Sequence, residues 1–316
     1  MTAEILTYEG KRYRLPDLLA WKLEYACGVP CDSFWVEVPW QPGEEEIYRK
    51  AVKLLAYQDG RQVFTGMVDE AEWTLDEQGR RATLSGRSMA ALLLDNEAEA
   101  ADYATATLED ILRDHVTPYG IEVGEKSSFP PCQNFTVTAG SSEWQVIYDF
   151  VRYHGGIPPR FDREGKLLLT HMESGKEKVL DDTVPLTGQA GRERRYGVLS
   201  EVVVRDKRRR MAERVVNETF VAEGGRARRL LTMSGTPAER AMRYNGQFQL
   251  DKSEAQRRRL EVRVPALFFA WPGDLIRVSR SDGVGNGLWR VLETVVEENH
   301  RGGSTGLILG EPDTVL

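Results

Sequence analysis

The residues able to do covalent or metal chemistry are few in this chain, and their spacing does not suit such work. Three cysteines, Cys27, Cys31 and Cys132, are an odd number with no repeated spacing. Cys27 and Cys31 flank Gly28-Val29-Pro30, unlike the two-residue gap of zinc knuckles and redox pairs, so they read as small buried thiols. His115, His154, His171 and His300 are far apart, and none falls in a metal-ligand pattern. The sequence has no Walker phosphate loop and no His-Glu-x-x-His helix. Gly283-Val284-Gly285-Asn286-Gly287 is glycine-rich but lies between strand-like segments, without the strand-to-helix setting that cradles phosphate, and reads as a turn. Asp69-Glu70 and Asp181-Asp182 have the chemistry of a glycosidase pair, yet 49 acidic residues make such neighbours common by chance. The expectation is no catalytic residue, no metal site and no cofactor.

The elements that would position any site are mostly strands. Ile5 to Tyr8 and Tyr13 to Leu15 bracket a Tyr-Glu-Gly-Lys turn, a hairpin signal. Trp21 to Ala26, Phe34 to Trp40, Lys50 to Tyr57, Val63 to Trp73 and Arg81 to Ser85 follow, joined by turns at Gln58-Asp59-Gly60-Arg61 and Asp76-Glu77-Gln78-Gly79. Period-two alternation in Ala71, Trp73, Leu75 and in Ala82, Leu84 marks a half-buried sheet, a small barrel or sandwich over residues 1–97. Residues 98–178 change to α+β. Thr107-Leu108-Glu109-Asp110 is a capping box, after which Leu108, Ile111, Leu112 and Val116 share a helical face that stops before Pro118 and Gly120. A second helix from Ser141 or Ser142 to Gly155-Gly156 buries Trp144, Ile147, Tyr148 and Val151, and a hairpin turns at Asp162-Arg163-Glu164-Gly165. Residues 179–316 return to β, with strands at Gly197 to Arg205, Arg214 to Val221, Leu260 to Val264, Leu275 to Ser279, Leu288 to Val296 and Thr305 to Leu309. Helical stretches are expected from Thr236-Pro237 and from Ser253 to Arg259. The fold class is thus mainly β with an α+β insert.

The 316 residues are 41% hydrophobic and 29% charged, the profile of an ordinary globular protein with room for two or three cores. No run approaches the roughly 20 apolar residues of a membrane-spanning helix, and Met1-Thr2-Ala3-Glu4-Ile5-Leu6 lacks the pattern of a secretory signal. A cytosolic protein with no membrane partner is expected. The net charge of −7 argues against nucleic acid as a specific partner, but the charge is uneven. Glu44-Glu45-Glu46, Asp69, Glu70, Glu72, Asp95, Glu97 and Glu99 make the first third acidic. Between Arg192 and Arg259 there are 18 Arg and Lys against 9 Asp and Glu, including Arg208-Arg209-Arg210 and Arg257-Arg258-Arg259. That excess reads either as solvated faces or as a docking surface for an acidic protein. Leu267-Phe268-Phe269-Ala270-Trp271 is the other candidate contact. Five apolar residues in a row cannot all face one side of a strand, so both faces are covered within the subunit or one meets a neighbour through Phe268, Phe269 and Trp271.

Three ordered motifs carry a family resemblance. Gly28-Val29-Pro30-Cys31-Asp32-Ser33-Phe34 resembles the Gly-x-Pro-x-Asp-Ser-Phe segment early in tail proteins of Mu-like and late-control-gene-D-like phages. Gly66-Met67-Val68-Asp69, then Ser85-Gly86-Arg87-Ser88 through Asp95, is similar to that family's strand, corner and short helix. Pro272-Gly273-Asp274-Leu275-Ile276-Arg277-Val278 and Trp289-Arg290-Val291 are similar to its closing strands. The resemblance implies the baseplate hub of a contractile tail: two related tube-type β-barrel domains, 1–97 and 179–316, flanking the small α+β domain. It implies a homotrimer that joins the sixfold tail tube protein to the trimeric spike protein, beside other baseplate or tape-measure proteins. The place would be the virion or a tail-like particle, assembled in the bacterial cytoplasm. The motifs are structural corners, so they bring no catalytic residues. Gly28, Pro30, Gly86 and Gly273 would hold turns, and Asp32 and Asp274 would bond nearby backbone amides. A tube terminator, a spike adaptor and a tail-associated cell-wall hydrolase remain as alternatives.

Overall fold

A computed structural model describes residues 1–77, 79–155, 157–206, 210–233, 239–255 and 257–314. The first unit holds β1 (Thr2–Thr7), β2 (Arg12–Arg14), β3 (Ala20–Ala26), β4 (Ser33–Pro39), β5 (Ala51–Gln58), β6 (Arg61–Asp76) and β7 (Gly79–Ser88). Trp21, Leu23 and Tyr25 of β3 and Phe34, Val36 and Val38 of β4 are buried at every second position, the signature of a sheet covered on one side. Gly10 and the Asp59-Gly60 pair adopt positive φ at the hairpins the sequence predicts. The Glu44–Glu46 run, legible in the sequence only as charge, leads into a short helix α1 (Glu45–Arg49). Its first-turn carboxylates suit the positive end of the helix dipole.

The middle unit runs α2 (Ala91–Leu94), β8 (Ala101–Ala106), α3 (Leu108–His115), β9 (Val123–Lys126), β10 (Cys132–Val137), α4 (Glu143–Gly155), β11 (Arg160–Phe161) and β12 (Leu167–Leu169). Thr107 caps α3 in both directions: its hydroxyl accepts from the Asp110 N–H at 3.2 Å, and Asp110 accepts from the Thr107 N–H at 3.1 Å. Leu108, Ile111 and Leu112 of α3 meet Trp144, Ile147, Phe150 and Val151 of α4 in one core. Leu93 from α2 and Leu167 and Leu169 from β12 complete it. The hairpin predicted around residues 162–165 forms between β11 and β12, with Gly165 at φ +84°.

The last segment holds β13 (Glu177–Asp181), β14 (Gly188–Glu193), β15 (Glu201–Asp206), β16 (Ala212–Val216), α5 (Glu218–Ala222), β17 (Arg228–Met233), α6 (Glu239–Glu254), β18 (Arg258–Val264), β19 (Leu275–Ser279), β20 (Gly287–Asn299) and β21 (Gly302–Gly310). Two expectations need correction. The strand expected to reach Val221 ends at Val216, because the Asn217 side chain accepts the Phe220 N–H at 3.0 Å and starts α5. Among the described residues no separate helix covers 253–259; α6 ends at Glu254 and β18 begins at Arg258. Gln78, Gly156, Arg208, Arg209 and the predicted helix start at 236–238 lie outside the described residues.

Thirteen strands form one sheet in the order β14-β18-β21-β20-β3-β4-β7-β6-β5-β1-β2, with β13 and β19 branching from β20. The chain is therefore mainly β, as the alternation predicts. The two β units are not separate closed barrels among the described strands. β20 is the reason. Along one edge it pairs with β21; along the other, Gly287–Arg290 pairs with β19 and Glu293–Glu298 pairs with β3. The edge of β3 that closure would require is thus taken by a strand about 270 residues later in sequence. Each half still curls over its own core: Trp21, Leu23, Phe34, Leu54, Phe64 and Leu84 on one side, Leu260, Val262, Ile276, Val278, Val291 and Leu309 on the other. Residues 194–257 form an excursion between the paired strands β14 and β18, with β15, β16 and β17 in a three-stranded sheet backed by α6.

Candidate assembly interface

The segment after β18 joins the two halves. Phe269 lies parallel to Trp21 with ring centres 6.4 Å apart, and Trp271 meets Tyr25 edge-on at 5.0 Å. Phe268 instead packs on the second core. Phe268, Phe269 and Trp271 are all half-buried. The Arg163 guanidinium of the middle unit stands 4.5 Å from the Trp271 ring centre, and the Lys178 ammonium 5.1 Å from that of Phe268, so cations close both exposed flanks. The backbone of the run is held as well. Phe268 N–H donates to Thr305 Oγ1 at 2.8 Å, and Thr294 Oγ1 donates to the Ala270 carbonyl at 2.6 Å. The run is a seam between two cores and the middle unit.

Asp274 fixes the end of that seam. Its carboxylate accepts the Trp271 N–H and the Lys176 N–H, both at 2.9 Å, so it ties the β19 entry to the chain preceding β13. Gly273 beside it sits at φ +95°, where a side chain would also collide with Met172. The other predicted corner gathers Gly28, Pro30 and Asp32 between β3 and β4. Gly28 turns at φ +80°. Asp32 accepts the Ala26 N–H at 3.1 Å, and its own N–H donates to Ser88 Oγ at 3.2 Å, which stitches the corner to the end of β7. Burial pushes the Asp32 carboxyl up to about 7 against the pull of the Ala26 N–H. Burial pushes Cys27 up to about 12 and Cys31 up to about 11, so both remain neutral thiols near pH 7.

Gly86 does not lie at a turn. It is inside β7, opposite Phe34 and Val68, where β6 bulges between Val68 and Glu70. A Cβ there would sit inside the contact distance of the Met67 carbonyl oxygen, so close approach of the strands is what requires glycine. Next to it, Arg87 bonds Asp69 at 2.7 Å and Asp95 at 2.6 Å, which links β6 to the segment after α2.

Two polar clusters escaped sequence reasoning. His115 and Glu143, buried on α3 and α4, share a 2.6 Å bond from Nδ1 to Oε2. Tyr119 donates to the other Glu143 oxygen at 2.9 Å, and Tyr103 lies 3.1 Å from His115 Nε2 and 2.9 Å from Asp114. The set has acid–base residue types, but it joins β8, α3, α4 and the Thr117–Tyr119 turn like a rivet. The second cluster is Arg257, which is buried and pairs with Glu193, Glu223 and Glu254 at the stem of the excursion. An open cleft of about 720 Å³ beside it is lined by these charges together with Arg195, Arg258 and Glu311. His115 and Glu143 lie 28 residues apart, and of the Arg257 partners only Glu254 is local, Glu223 and Glu193 being 34 and 64 residues away. Among the described residues no group of three or more His, Cys, Asp or Glu is arranged to hold a metal, and no helix is long and apolar enough to cross a membrane.

No protein-family model matches the sequence, and no curated protein does. Solved structures match along the whole chain. A tail protein from Neisseria meningitidis MC58 superposes with a TM-score of 0.79 at 16% identity, covering 99% of this chain and 97% of its own. The chain has the fold of that tail protein. The 43 kDa tail protein of prophage MuSo2 from Shewanella oneidensis gives the same TM-score and identity over 100% of both chains. An Escherichia coli protein described as a type VI secretion component, structurally similar to T4 tail proteins gp27 and gp5, superposes at 0.56 and 13% identity. It covers 93% of this chain and 73% of its own length. At these identities the likeness is one of fold.

Proposed function

We propose that this chain is a structural, non-catalytic tail component, the baseplate hub that joins a sixfold tail tube to a threefold spike as a homotrimer. The observation that carries the reading is the superposition on two tail proteins, one of them from a prophage, over 97–100% of each chain. The architecture supports it. Two curled β halves share β20 in one sheet and are clamped by the Phe269–Trp271 seam, so each subunit offers two rigidly related β surfaces. Three subunits would then present six such surfaces to a tube ring, while the assembly keeps threefold symmetry toward a spike. The buried acid–base groups found are consumed in packing, which favours a mechanical role over hydrolysis of a cell wall. The partners proposed are the tail tube protein, the spike protein and other baseplate or tape-measure proteins, in a virion or tail-like particle. Negative-stain images of the purified chain test this. A ring of three subunits with six lobes is expected. A six-subunit ring would favour a tube terminator, and degradation of peptidoglycan by the pure protein would favour a hydrolase.

A further inference from the structure

The excursion of residues 194–257 is charged oppositely to the rest of the chain. It carries 15 Arg and Lys against 8 Asp and Glu, whereas the remainder carries 27 against 41. Among the described residues its three-stranded sheet is covered on one face. Val202, Val204, Val215 and Met233 pack with Met242 and Leu250 of α6. No described residue outside the sheet covers the opposite face. There the register sets Val203 of β15 between Arg214 of β16 and Leu230 of β17, and Glu201 between Val216 and Arg228. Leu230 is 59% exposed, and the Arg214 and Arg228 side chains are 65% and 61% exposed. Leu230 adjoins the partly exposed Val203 and Val216 on this face, so an apolar centre rimmed by arginines is presented, the make-up of a protein contact. The bond from Glu201 to both arginines, at 3.0 and 3.2 Å, places a carboxylate mid-face and disfavours a phosphate backbone as the occupant.

A complementary face exists on the same chain. On the outer side of the first β unit, cross-strand rows place Glu70, Ser85, Trp35, Lys22 and Glu297 in line, with Glu72, Thr83 and Glu37 in the next row. Glu70 and Glu72 are exposed, and Trp35 is half-exposed near the middle of this acidic surface. Both faces are sheet surfaces, and both set an apolar residue among charges of a predominant sign. We propose that the Leu230 face of one copy docks on the Trp35 face of a second copy. The two faces differ, so the contact is head-to-tail, and such contacts generate rings when the rotation closes. This deepens the hub reading by naming the surface through which the subunits meet, and it rests on that reading.

Charge exchange in the full-length chain tests it, read by sedimentation velocity. Arg214→Glu with Arg228→Glu, and separately Glu70→Lys with Glu72→Lys, should each weaken trimer formation at least about tenfold. Mixing the two variant chains makes both contacts between unlike copies complementary, and should recover association that neither shows alone. Leu230→Asp should give the same loss without touching the Glu201 bonds. The wild-type trimer should weaken from about 50 mM to about 500 mM salt. A wild-type trimer indifferent to all these exchanges overturns this surface and leaves the hub reading standing. A wild-type chain that stays monomeric overturns both. Salt-sensitive binding of a duplex DNA oligonucleotide that the arginine variants lose, with self-association unchanged, reassigns the face to nucleic acid.

Discussion

The Asp32 carboxyl makes this protein's stability depend on pH in a direction opposite to that of most paired carboxylates. Burial raises it from its ordinary 3.8 to about 7, because the one strong bond in its favour, from the Ala26 N–H, does not repay the lost hydration. A carboxyl raised on folding holds its proton more tightly in the folded state. Its stabilising contribution is complete below the unfolded value of 3.8 and is lost as pH rises through about 7. A shift of that size corresponds to at most about 4 kcal/mol, and the residue's partial solvent access brings this to about 2 kcal/mol. Asp32→Asn keeps the carbonyl that accepts the Ala26 N–H and removes the charge. The variant should therefore exceed the native chain in stability by about 2 kcal/mol at about pH 8 and match it near pH 4. Urea unfolding followed by tryptophan fluorescence at both pH values gives the difference, in which all other titrating groups cancel. A difference between the two proteins that does not change with pH would refute the reasoning.

Further outcomes follow from the packing. Gly86→Ala forces a methyl group against the Met67 carbonyl and the Phe34 ring, and should lower stability by about 1–3 kcal/mol in the same assay. His115→Ala leaves Glu143 Oε2 buried without its 2.6 Å partner, and a loss of about 3 kcal/mol is expected, seen as earlier unfolding of the middle unit by hydrogen exchange. Trp271→Asp separates two roles for the aromatic run. As a seam residue against Tyr25 and Arg163, it should cost the monomer about 2–4 kcal/mol; loss of the trimer with monomer stability intact would instead assign it to a subunit contact.

Local signals in the sequence carried much of the fold. The Thr107 and Asp110 spacing announces α3 because a capping box is complete within four residues. Alternation of Ala82 and Leu84 announces β7 for the same reason. What stayed hidden is what depends on distant pairing. The joint of β20 with β3 brings Glu297 to Lys22, and nothing in either strand names its partner. The branched Val215 and Val216 favour a strand, whereas Asn217 ends it and starts α5. Gly86 is ambiguous in sequence because glycine serves both turns and close strand approach, and only the bulge of β6 distinguishes them. Asp32 and Asp274 accept backbone N–H groups, a role that only the family resemblance implies, and the pH response of Asp32 depends on its burial in the fold.

The most direct test of the central proposal is the solution mass of the purified chain by light scattering. A single species near three times the 35.7 kDa of the chain is the predicted result. A six-chain species, or a chain that remains at the monomer mass at every concentration, would contradict the hub account.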